Sequence, residues 1–494
     1  MPTISLQQQS DLSELSDQLN DPLIVSMRDQ GVLTYVVGGS VRDTLLARDF
    51  HDIDFVVVAG TQALMLACGF TQVGRDFPVF LHPTNSTQFA LARLERSIGV
   101  GHGDFSFDVE SVVTLDEDLI RRDFTINAMA VGPGGKLIDP YGGFADLQSR
   151  TLRHISASFS EDPLRVFRGA RFLAQLSAWG FKLDKQTARV FEQMSLSGGL
   201  ANLSAERVWI ETELALSADG ATDFFKTLAA TNCLSPWFIE LSDQAQGLAL
   251  TQLCPDSTGL SNENTTSSTA VGAALNTGAA RCSSVPSDSV GIDQTAIMAL
   301  TLACAHTKQT EVRFAALMGA PCLSQKGPSQ SAQLLKLCQR LKVPQSYQRL
   351  LLQLQAHFWP LIHLASNDAN EAHSTRAAVL LSLLTELGAL KNSEAVTTFC
   401  DALIPTAQAL DECQNAKPLT SPKGQLHSSG LIQRARCATQ LLKQAADLLV
   451  KLNHASLKQQ QPEIFTDKTG AQIGQIIEAW RLENLANLLR SNLT

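Results

Sequence analysis

Three things are scarce in this sequence of 494 residues: long apolar runs, paired cysteines and an excess of positive charge. No stretch approaches the roughly 18–20 apolar residues that a membrane-spanning helix requires, and the acidic first residues do not resemble a secretory signal. We therefore expect a cytoplasmic protein with no membrane partner. The ten cysteines include no CxxC pair, which argues against a zinc site or a disulfide framework.

The formal net charge of −9 argues against a protein that holds nucleic acid through bulk electrostatics. The charge is unevenly distributed, however. Residues 1–150 carry 10 Lys+Arg against 20 Asp+Glu, whereas 151–200 carry 7 against 4 and 301–350 carry 7 against 1. The two basic stretches could seat an RNA backbone, and the second is equally well explained as solvated helix faces. We expect no DNA partner.

The chain is organised around residues 35–58, where a short apolar stretch, two glycines and a second apolar stretch follow one another. Residues 35–37 predict a strand that runs into Gly38 and Gly39, and apolar residues at helical spacing predict a short helix after them. Because glycine allows close approach of the backbone and a helix start offers free N–H groups, this order is typical of a phosphate-binding turn. Arg42 could add a charged contact to a triphosphate.

Asp52 and Asp54 lie just before the second apolar stretch, 55–58. Residues i and i+2 of a strand project from the same face, so both carboxylates are expected to point to one place. Carboxylate oxygens beside a phosphate-binding turn suggest Mg²⁺ and metal-assisted transfer of a nucleotidyl group. Each feature alone is more often a plain turn or solvated charge, so the hypothesis depends on their order and spacing.

This stretch resembles the first motif, GG[SA]xRD followed by DxD, of the class II tRNA nucleotidyltransferases (CCA-adding enzymes) and of the related bacterial poly(A) polymerases. The residues that fall on the motif are Gly38, Gly39, Arg42, Asp43, Asp52 and Asp54. The resemblance implies a polymerase-β-like nucleotidyltransferase head with Asp52 and Asp54 as the catalytic, metal-binding pair. It also implies Mg²⁺ as cofactor and CTP, ATP and tRNA as partners.

A second match, to the family motif RRDxxxNA, is formed by Arg121, Arg122, Asp123, Asn127 and Ala128. The resemblance implies that this motif contacts ribose and triphosphate, with Arg122 and Asn127 among the nucleotide-binding residues. Because consecutive side chains diverge on any regular element, we expect only one of the two arginines to face the nucleotide, and we choose Arg122.

The stretch EDPLRVFRGARFLAQL predicts a helix over residues 161–176, on which Asp162 and Arg165 are neighbours on one face. A carboxylate accepts from the exocyclic amine that C and A share, and a guanidinium donates to the ring acceptor beside it, whereas U and G present the reverse. The pair therefore predicts selection of CTP and ATP, a role that the matching family motif EDxxR also implies. By resemblance alone, Arg168 and Arg171 are expected at the triphosphate or the RNA 3′ end.

The pattern of apolar residues predicts an α+β protein, with an N-terminal α/β head followed by an all-α neck, body and tail. Predicted strands of the head lie near 33–37, 53–58, 70–74, 88–94 and 127–131, with a helix near 61–68 and a loop over the site at 96–115. The predicted segments are a helical extension (1–30), the nucleotidyltransferase head (31–150), a neck and body that bind nucleotide and RNA (151–250), a flexible low-complexity segment (255–290) and an all-α C-terminal part (291–494). Arg207 and Glu211, four residues apart, favour a surface ion pair.

These observations favour an enzyme that adds C, C and A to tRNA 3′ ends without a template and releases pyrophosphate. A poly(A) polymerase on the same scaffold and a catalytically inactive RNA-binding protein stay open, as does the oligomeric state, a monomer included. Some relatives carry a C-terminal phosphohydrolase domain marked by a His-Asp dipeptide. Where that dipeptide would stand this chain has Met318 and Gly319, so the resemblance implies a degenerate HD-type domain without phosphohydrolase activity.

Overall fold

A computed structural model of the chain describes twelve stretches of sequence. They are residues 3–50, 52–74, 79–92, 94–97, 105–108, 113–242, 291–324, 330–365, 372–390, 394–415, 430–466 and 468–492. The low-complexity segment predicted at 255–290 lies outside the described residues.

The head is built on a mixed sheet of seven strands. The strands of the head are β1 (Leu33–Val37), β2 (Asp54–Val58), β3 (Thr71–Val73), β4 (Val79–Leu81), β5 (Gln88–Leu91), β6 (Leu94–Ser97), β7 (Phe105–Asp108), β8 (Ala130–Val131) and β9 (Leu137–Ile138). Strands β6 and β7 pair only with each other and form a separate two-stranded sheet. The spatial order of the sheet is β3-β4-β5-β2-β1-β8-β9. Only β2 and β5 run parallel, and the other neighbouring strands are antiparallel.

Strict alternation along the central strands explains why both faces of the sheet are covered. Val36 on β1 and Phe55 on β2 point into the large core, whereas their chain neighbours Val37 and Val56 belong to a smaller apolar cluster on the opposite face. Successive side chains of a strand project to opposite faces, so a strand that is apolar at every position must be buried on both sides. The central pair β1–β2 is therefore the fixed frame on which the neighbouring loops are held.

The strands predicted near 33–37, 53–58 and 70–74 are confirmed. The strand predicted at 88–94 ends at Leu91, and the one predicted at 127–131 is preceded by a 3₁₀ helix, Thr125–Asn127, and is shortened to β8. The loop expected at 96–115 is wrong in part, because β6 and β7 pair there in antiparallel fashion, and residues 98–104 and 109–112 of the predicted loop lie outside the described residues. Its apolar alternation is too short to be recognised without the partner strand.

Helices surround the sheet. Those of the head are α1 (Leu6–Ser16), α2 (Pro22–Asp29), α3 (Gly39–Leu45), α4 (Gln62–Ala67), α5 (Leu115–Ile120) and α6 (Gly143–Gln148). The first helix begins with a capping box in which Ser5 and Gln8 bond each other's backbone, and it packs so closely on the turn at Gly135 that a Cβ there would lie 2.7 Å from the Cα of Ser13. The N-terminal extension is thus part of the head.

The rest of the described chain is almost wholly helical. Two short strands, β10 (Thr151–Leu152) and β11 (Lys182–Leu183), flank the first long helix of this part. The helices are α7 (Leu164–Gln175), α8 (Lys185–Leu196), α9 (Ala205–Ser217), α10 (Ala221–Ala230), α11 (Gln294–His306), α12 (Thr310–Ser324), α13 (Gln330–Arg340), α14 (Gln345–Leu364), α15 (His373–Glu386), α16 (Glu394–Asn415), α17 (Leu431–Lys451), α18 (His454–Gln460) and α19 (Gly470–Asn492). The fold is α+β, as predicted from the sequence. Within the described ranges, no helix is both long and apolar enough to span a bilayer.

Candidate active site

One cavity of about 870 Å³ lies between the head and the helices α7 and α9. Every residue that the sequence singled out for catalysis or nucleotide binding lines it: Gly38, Gly39, Arg42, Asp52, Asp54, Arg122, Asn127, Asp162, Arg165, Arg168 and Arg171. The cavity wall also contains Arg121 and Arg207, which the sequence did not assign to the site. The structure therefore brings residues 38 to 207 of the chain to one place, while their individual roles stay predictions.

The pairing of β1 with β2 places the glycine turn next to Asp54. In the register of β1 and β2, Val37 pairs with Asp54, so Gly38 follows directly beside that carboxylate. Gly38 has φ +80°, and a Cβ at this position would lie 3.1 Å from Nη1 of Arg122 and 4.0 Å from Oδ2 of Asp54. Glycine is required here for two reasons, since a side chain would be strained and would occupy the cavity.

Asp52 and Asp54 both line the cavity, but they are not neighbours on one strand face as predicted. Strand β2 begins at Asp54, so Asp52 precedes the strand and the two carboxylates do not share a strand face, yet both line the cavity. Desolvation raises the pKa of Asp54, the charge of Arg122 opposes this, and the charge of Asp52 raises it further. Neither carboxylate forms a hydrogen bond or ion pair with another residue in the described ranges.

This acid pair fits a divalent cation. Hard carboxylate oxygens that lack a protein partner and repel each other are stabilised by a cation, and oxygen donors suit the divalent ions that bind phosphates. Three other acids of the wall differ, because Asp43, Asp123 and Asp162 are each bonded to an arginine.

A chain of charged hydrogen bonds joins the glycine turn to α7. Arg42 donates from Nε and Nη2 to the two oxygens of Asp43 at 2.9 Å each, and from Nη1 to Oδ1 of Asn127 at 2.6 Å. Asn127 donates to Asp123, whose other oxygen accepts from Nε of Arg168 at 2.8 Å. Burial alone would raise the pKa of Asp123, but Arg168 and Asn127 outweigh it and lower the pKa to about 2. Arg42 and Arg168 are thereby held in fixed orientations.

Arg121 and Arg122 both line the cavity, so the expectation that only one of them would face it is wrong. Both fold back onto the fully buried carboxylate of Asp118 on α5. Arg121 donates to Oδ1 at 2.5 Å from Nη2, and Arg122 donates to Oδ2 at 3.2 Å. A shared anchor overrides the divergence of neighbouring side chains.

Asp162 and Arg165 both line the cavity, but they are not neighbours on one helix face as predicted, because Asp162 precedes the helix. Helix α7 begins at Leu164 rather than at 161, because the chain before it forms a 3₁₀ helix and Asp162 is extended. Oδ1 of Asp162 accepts from the backbone N–H of Leu164, and Oδ2 accepts from Nη2 of Arg207 at 2.9 Å. The carboxylate starts the helix and is oriented by α9.

Arg165 is anchored by backbone carbonyls. It donates from Nη1 to the carbonyl of Ser158 at 3.2 Å and from Nη2 to that of Arg121 at 2.9 Å. The guanidinium also lies over the ring of Phe159. With these contacts in place, Arg165 lines the cavity.

The predicted surface pair of Arg207 and Glu211 is also wrong. Glu211 is buried and accepts from Nε of Arg171 at 2.5 Å, with Nη1 of Arg168 at 3.7 Å. Arg207 and Glu211 thus each bind a residue that lies 40 or more positions away in sequence. No local spacing signals such pairs, whereas Asp118 stands three and four positions before its arginines and could have been found by helical spacing.

Two family models match this chain. The first, described as the poly A polymerase head domain, matches residues 34–153, and the second, described as a probable RNA and SrmB-binding site of polymerase A, matches residues 180–244. The first covers most of the head and the second includes α9, whereas α7 lies between the two matched ranges.

Curated relatives extend the likeness over most of the chain. It is 37% identical over 377 residues to a CCA-adding enzyme of Alteromonas mediterranea, covering 76% of this chain and 86% of the relative. It is 34% identical over 463 residues to a multifunctional CCA protein of Acinetobacter baumannii, covering 92% and 96%. With a multifunctional CCA protein of Pseudoalteromonas atlantica the identity is 51% over 207 residues, and the chain spans only about half (51%) of that relative's length.

Solved structures share the fold. An apo CCA-adding enzyme is 18% identical with a TM-score of 0.58, over 98% of this chain and 93% of the other. A CCA-adding enzyme of Thermotoga maritima, solved in complex with tRNA, is 16% identical with a TM-score of 0.55, over 98% of both chains. At such low identity these likenesses establish the architecture alone.

Proposed function

The chain belongs to the CCA-adding enzyme family, and we propose that it adds C, C and A to the 3′ ends of tRNA from CTP and ATP and releases pyrophosphate. The observation that carries the proposal is the position of the acid pair Asp52 and Asp54, which lines the same cavity as the glycine turn and the arginines from the head and α7. Phosphate binding, metal binding and base selection need these three groups together.

In the proposed reaction, the terminal 3′ hydroxyl of the RNA forms a bond to the α-phosphorus of the bound nucleotide. The bond between the α-phosphorus and the oxygen bridging to the β-phosphate breaks, the hydroxyl proton passes to water, and pyrophosphate leaves. Arg42 and Arg122 bind the triphosphate next to Gly38 and Gly39, and Asn127 keeps Arg42 in place. Asp52 and Asp54 would hold Mg²⁺, which activates the hydroxyl and neutralises charge on the leaving group.

Nucleotide choice is assigned to Asp162 and Arg165. A carboxylate oxygen carries two lone pairs, so Asp162 can accept from an exocyclic amine of C or A while it keeps its bond from Arg207. Arg165, fixed by two carbonyls, donates to the neighbouring ring nitrogen. Arg168 and Arg171 face the same cavity and are assigned to the triphosphate and the RNA end. U and G would place a donor against Arg165 and an acceptor against Asp162.

The C-terminal helices are assigned no chemistry of their own. Met318 and Gly319, which stand where relatives with a phosphohydrolase domain carry a His-Asp dipeptide, are inside α12 and Met318 is buried. We therefore propose that the chain lacks the phosphohydrolase activity of such relatives. We also propose that it is a Mg²⁺-dependent enzyme of the cytoplasm, and that its substrate is tRNA and not DNA.

The deciding experiment measures incorporation of labelled CTP alone, ATP alone and both into tRNA that lacks its terminus, with Mg²⁺ and with chelator. The wild type should add two C and then one A only with Mg²⁺. Asp54→Ala should reduce transfer by at least about a thousandfold with an unchanged melting temperature, because one of two metal ligands is lost. Asp29→Ala, an exposed carboxylate on α2, is the matched control.

Three outcomes would count against the proposal. Long A tails made from ATP alone indicate a poly(A) polymerase. Binding of tRNA without any incorporation indicates an inactive RNA-binding protein. Substantial turnover by Asp54→Ala refutes the metal assignment.

A further inference from the structure

Two consecutive arginines in one cavity need a structural explanation. Arg121 is the first residue after α5 and Arg122 is the second, so their Cα–Cβ bonds leave the chain in different directions. Without an anchor, two guanidinium groups this close in sequence would also repel each other. The structure resolves both problems with one carboxylate.

That carboxylate is Asp118, whose side chain is fully inaccessible to solvent. Its Oδ1 accepts two bonds from Arg121, from Nε at 3.1 Å and from Nη2 at 2.5 Å. Its Oδ2 accepts from Nη2 of Arg122 at 3.2 Å. Burial raises the pKa of Asp118, but the charges and hydrogen bonds of the two arginines outweigh this and leave it below the usual value, so the carboxylate stays charged.

The helix that carries Asp118 is tied to the strands that hold the acid pair. Thr114 and Glu117 form a capping box at its start. Leu115 and Leu119 belong to the apolar cluster that contains Val37 of β1, the residue paired with Asp54. Asp118 is therefore fixed relative to the catalytic centre by packing and not by a flexible loop.

The two arginines bonded to Asp118 contact the glycine turn on one side of the nucleotide site and Arg165 on the other. Nη1 of Arg122 lies beside the glycine turn, 3.1 Å from the position of a Cβ on Gly38. The backbone carbonyl of Arg121 accepts from Nη2 of Arg165, one of the two residues assigned to base selection. A change at Asp118 would alter the geometry at the triphosphate and at the base together.

We propose that Asp118 is a positioning residue that presents Arg121 and Arg122 side by side to the triphosphate of the incoming nucleotide. The inference rests on the proposed function for the identity of the nucleotide. It adds to that function a residue which lies outside the motifs matched by the sequence and which does not line the cavity.

The test is equilibrium binding of CTP and ATP by the full chain in the absence of tRNA, so that no transfer is needed. Asp118→Asn keeps the size of the side chain and removes its charge, and it should weaken binding of both nucleotides about tenfold or more. Asp116→Asn, an exposed carboxylate on the same helix, should bind like the wild type. Asp118→Glu should recover part of the loss, because a carboxylate is restored.

A double-mutant cycle separates positioning from general destabilisation. If Asp118 acts through the arginines, adding Asp118→Asn to the variant Arg121→Gln, Arg122→Gln should weaken binding by no more than about twofold. Additive losses, or wild-type affinity in Asp118→Asn, would overturn the proposal. If Asp118→Asn fails to fold, the single variants Arg121→Gln and Arg122→Gln test the proposal in its place. Each should weaken CTP binding, and an unchanged affinity in either one contradicts joint presentation.

The two proposals fail in distinguishable ways. If the wild type binds CTP with dependence on Asp118 but does not extend tRNA, the proposed function falls and the positioning role stands. If tRNA is extended normally by Asp118→Asn with unchanged nucleotide affinity and unchanged KM, the positioning role falls alone.

Discussion

The carboxylate of Asp162 has two separate tasks in the structure. One oxygen accepts the backbone N–H of Leu164 and begins α7, and the other is held by Arg207. The residue proposed to read the base is thus oriented by a neighbouring helix before any nucleotide arrives. Such orientation lowers the entropy lost on binding and makes a mismatched base costly.

We predict that Asp162→Ala and Arg207→Gln both relax nucleotide choice. Asp162→Ala removes the acceptor and should lower the ratio of kcat/KM for CTP over UTP by about tenfold or more. Arg207→Gln should shift the ratio in the same direction by a smaller factor, because Asp162 keeps its bond to α7. Arg189→Gln, an exposed arginine on α8, is the control. Unchanged discrimination in Asp162→Ala would remove the base-reading role.

At this scale the sequence predicted which residues gather and missed how they are held. Motif spacing located Asp162 and Arg165, but helical geometry placed them on one helix face and paired Arg207 with Glu211, whereas the structure pairs Asp162 with Arg207 and Arg171 with Glu211. These contacts join α7 to α9 across 40 or more residues. Only the packing of the two helices creates them, so no pattern within either helix contains the information.

Among the elements, the glycine turn between β1 and α3 is the most tightly constrained. Its start has φ +80° at Gly38, and the space that a side chain would need is taken by Arg122. The turn and the arginine are therefore fitted to each other, and a larger residue would have to push the guanidinium into the nucleotide site.

Gly38→Ala should accordingly raise the KM for CTP and ATP about tenfold or more and lower kcat, because the Cβ adds backbone strain of about 1–3 kcal/mol and displaces Arg122. Gly31→Ala separates the two causes. Gly31 also has positive φ, at +84°, but a Cβ there would meet nothing within 4 Å. It should lose stability by a similar amount and keep the wild-type KM. Equal KM values in the two alanine variants would show that crowding of Arg122 is unimportant.

The secondary structure was predicted best where the residues of a single strand or helix are enough to identify it. Strands β1 and β2 are recognisable from their β-branched and aromatic residues, most of them buried, whereas β4 and the paired strands β6 and β7 depend on their partners and were missed. The start of α7 was placed three residues early, because acidic residues before a proline are typical of a helix start, and here they end a 3₁₀ helix instead.

Over the whole molecule, α9 connects the two halves. One of its faces carries Arg207 and Glu211 toward the cavity. The other packs Trp209 against Phe314 and Tyr347 of the C-terminal helices, with ring centroids 5.3 and 4.9 Å apart. The hydroxyl of Tyr347 also donates to Glu213 at 2.6 Å. The C-terminal helices thus fix the helix that orients the proposed base reader.

Arg313 secures the same junction from inside the C-terminal part. It is fully buried and donates to the carbonyls of Leu216 and Ala218 at the end of α9, and to those of Thr307 and Cys304 at the end of α11. A cation at the ends of two helices satisfies carbonyls that have no helical partner and complements both helix dipoles.

Replacing Arg313 by methionine should therefore lower the free energy of unfolding by about 3 kcal/mol or more, since four carbonyls, all at least partly buried, lose a charged donor. Differential scanning calorimetry and limited proteolysis would measure the loss and show whether the C-terminal helices open first. Arg349→Met, at an exposed position on α14, should melt like the wild type. An unchanged melting profile for Arg313→Met would show that the junction is held by apolar packing alone.

Helix α9 has thirteen residues, and it contacts the nucleotide cavity through Arg207 on one side and the C-terminal helices through Trp209 on the other. A displacement of the C-terminal helices would therefore reach Arg207 along one continuous helix. We therefore expect a substitution that loosens the contact between α9 and the C-terminal helices to weaken nucleotide selection as well. Such a variant should be tested for incorporation of the wrong nucleotide.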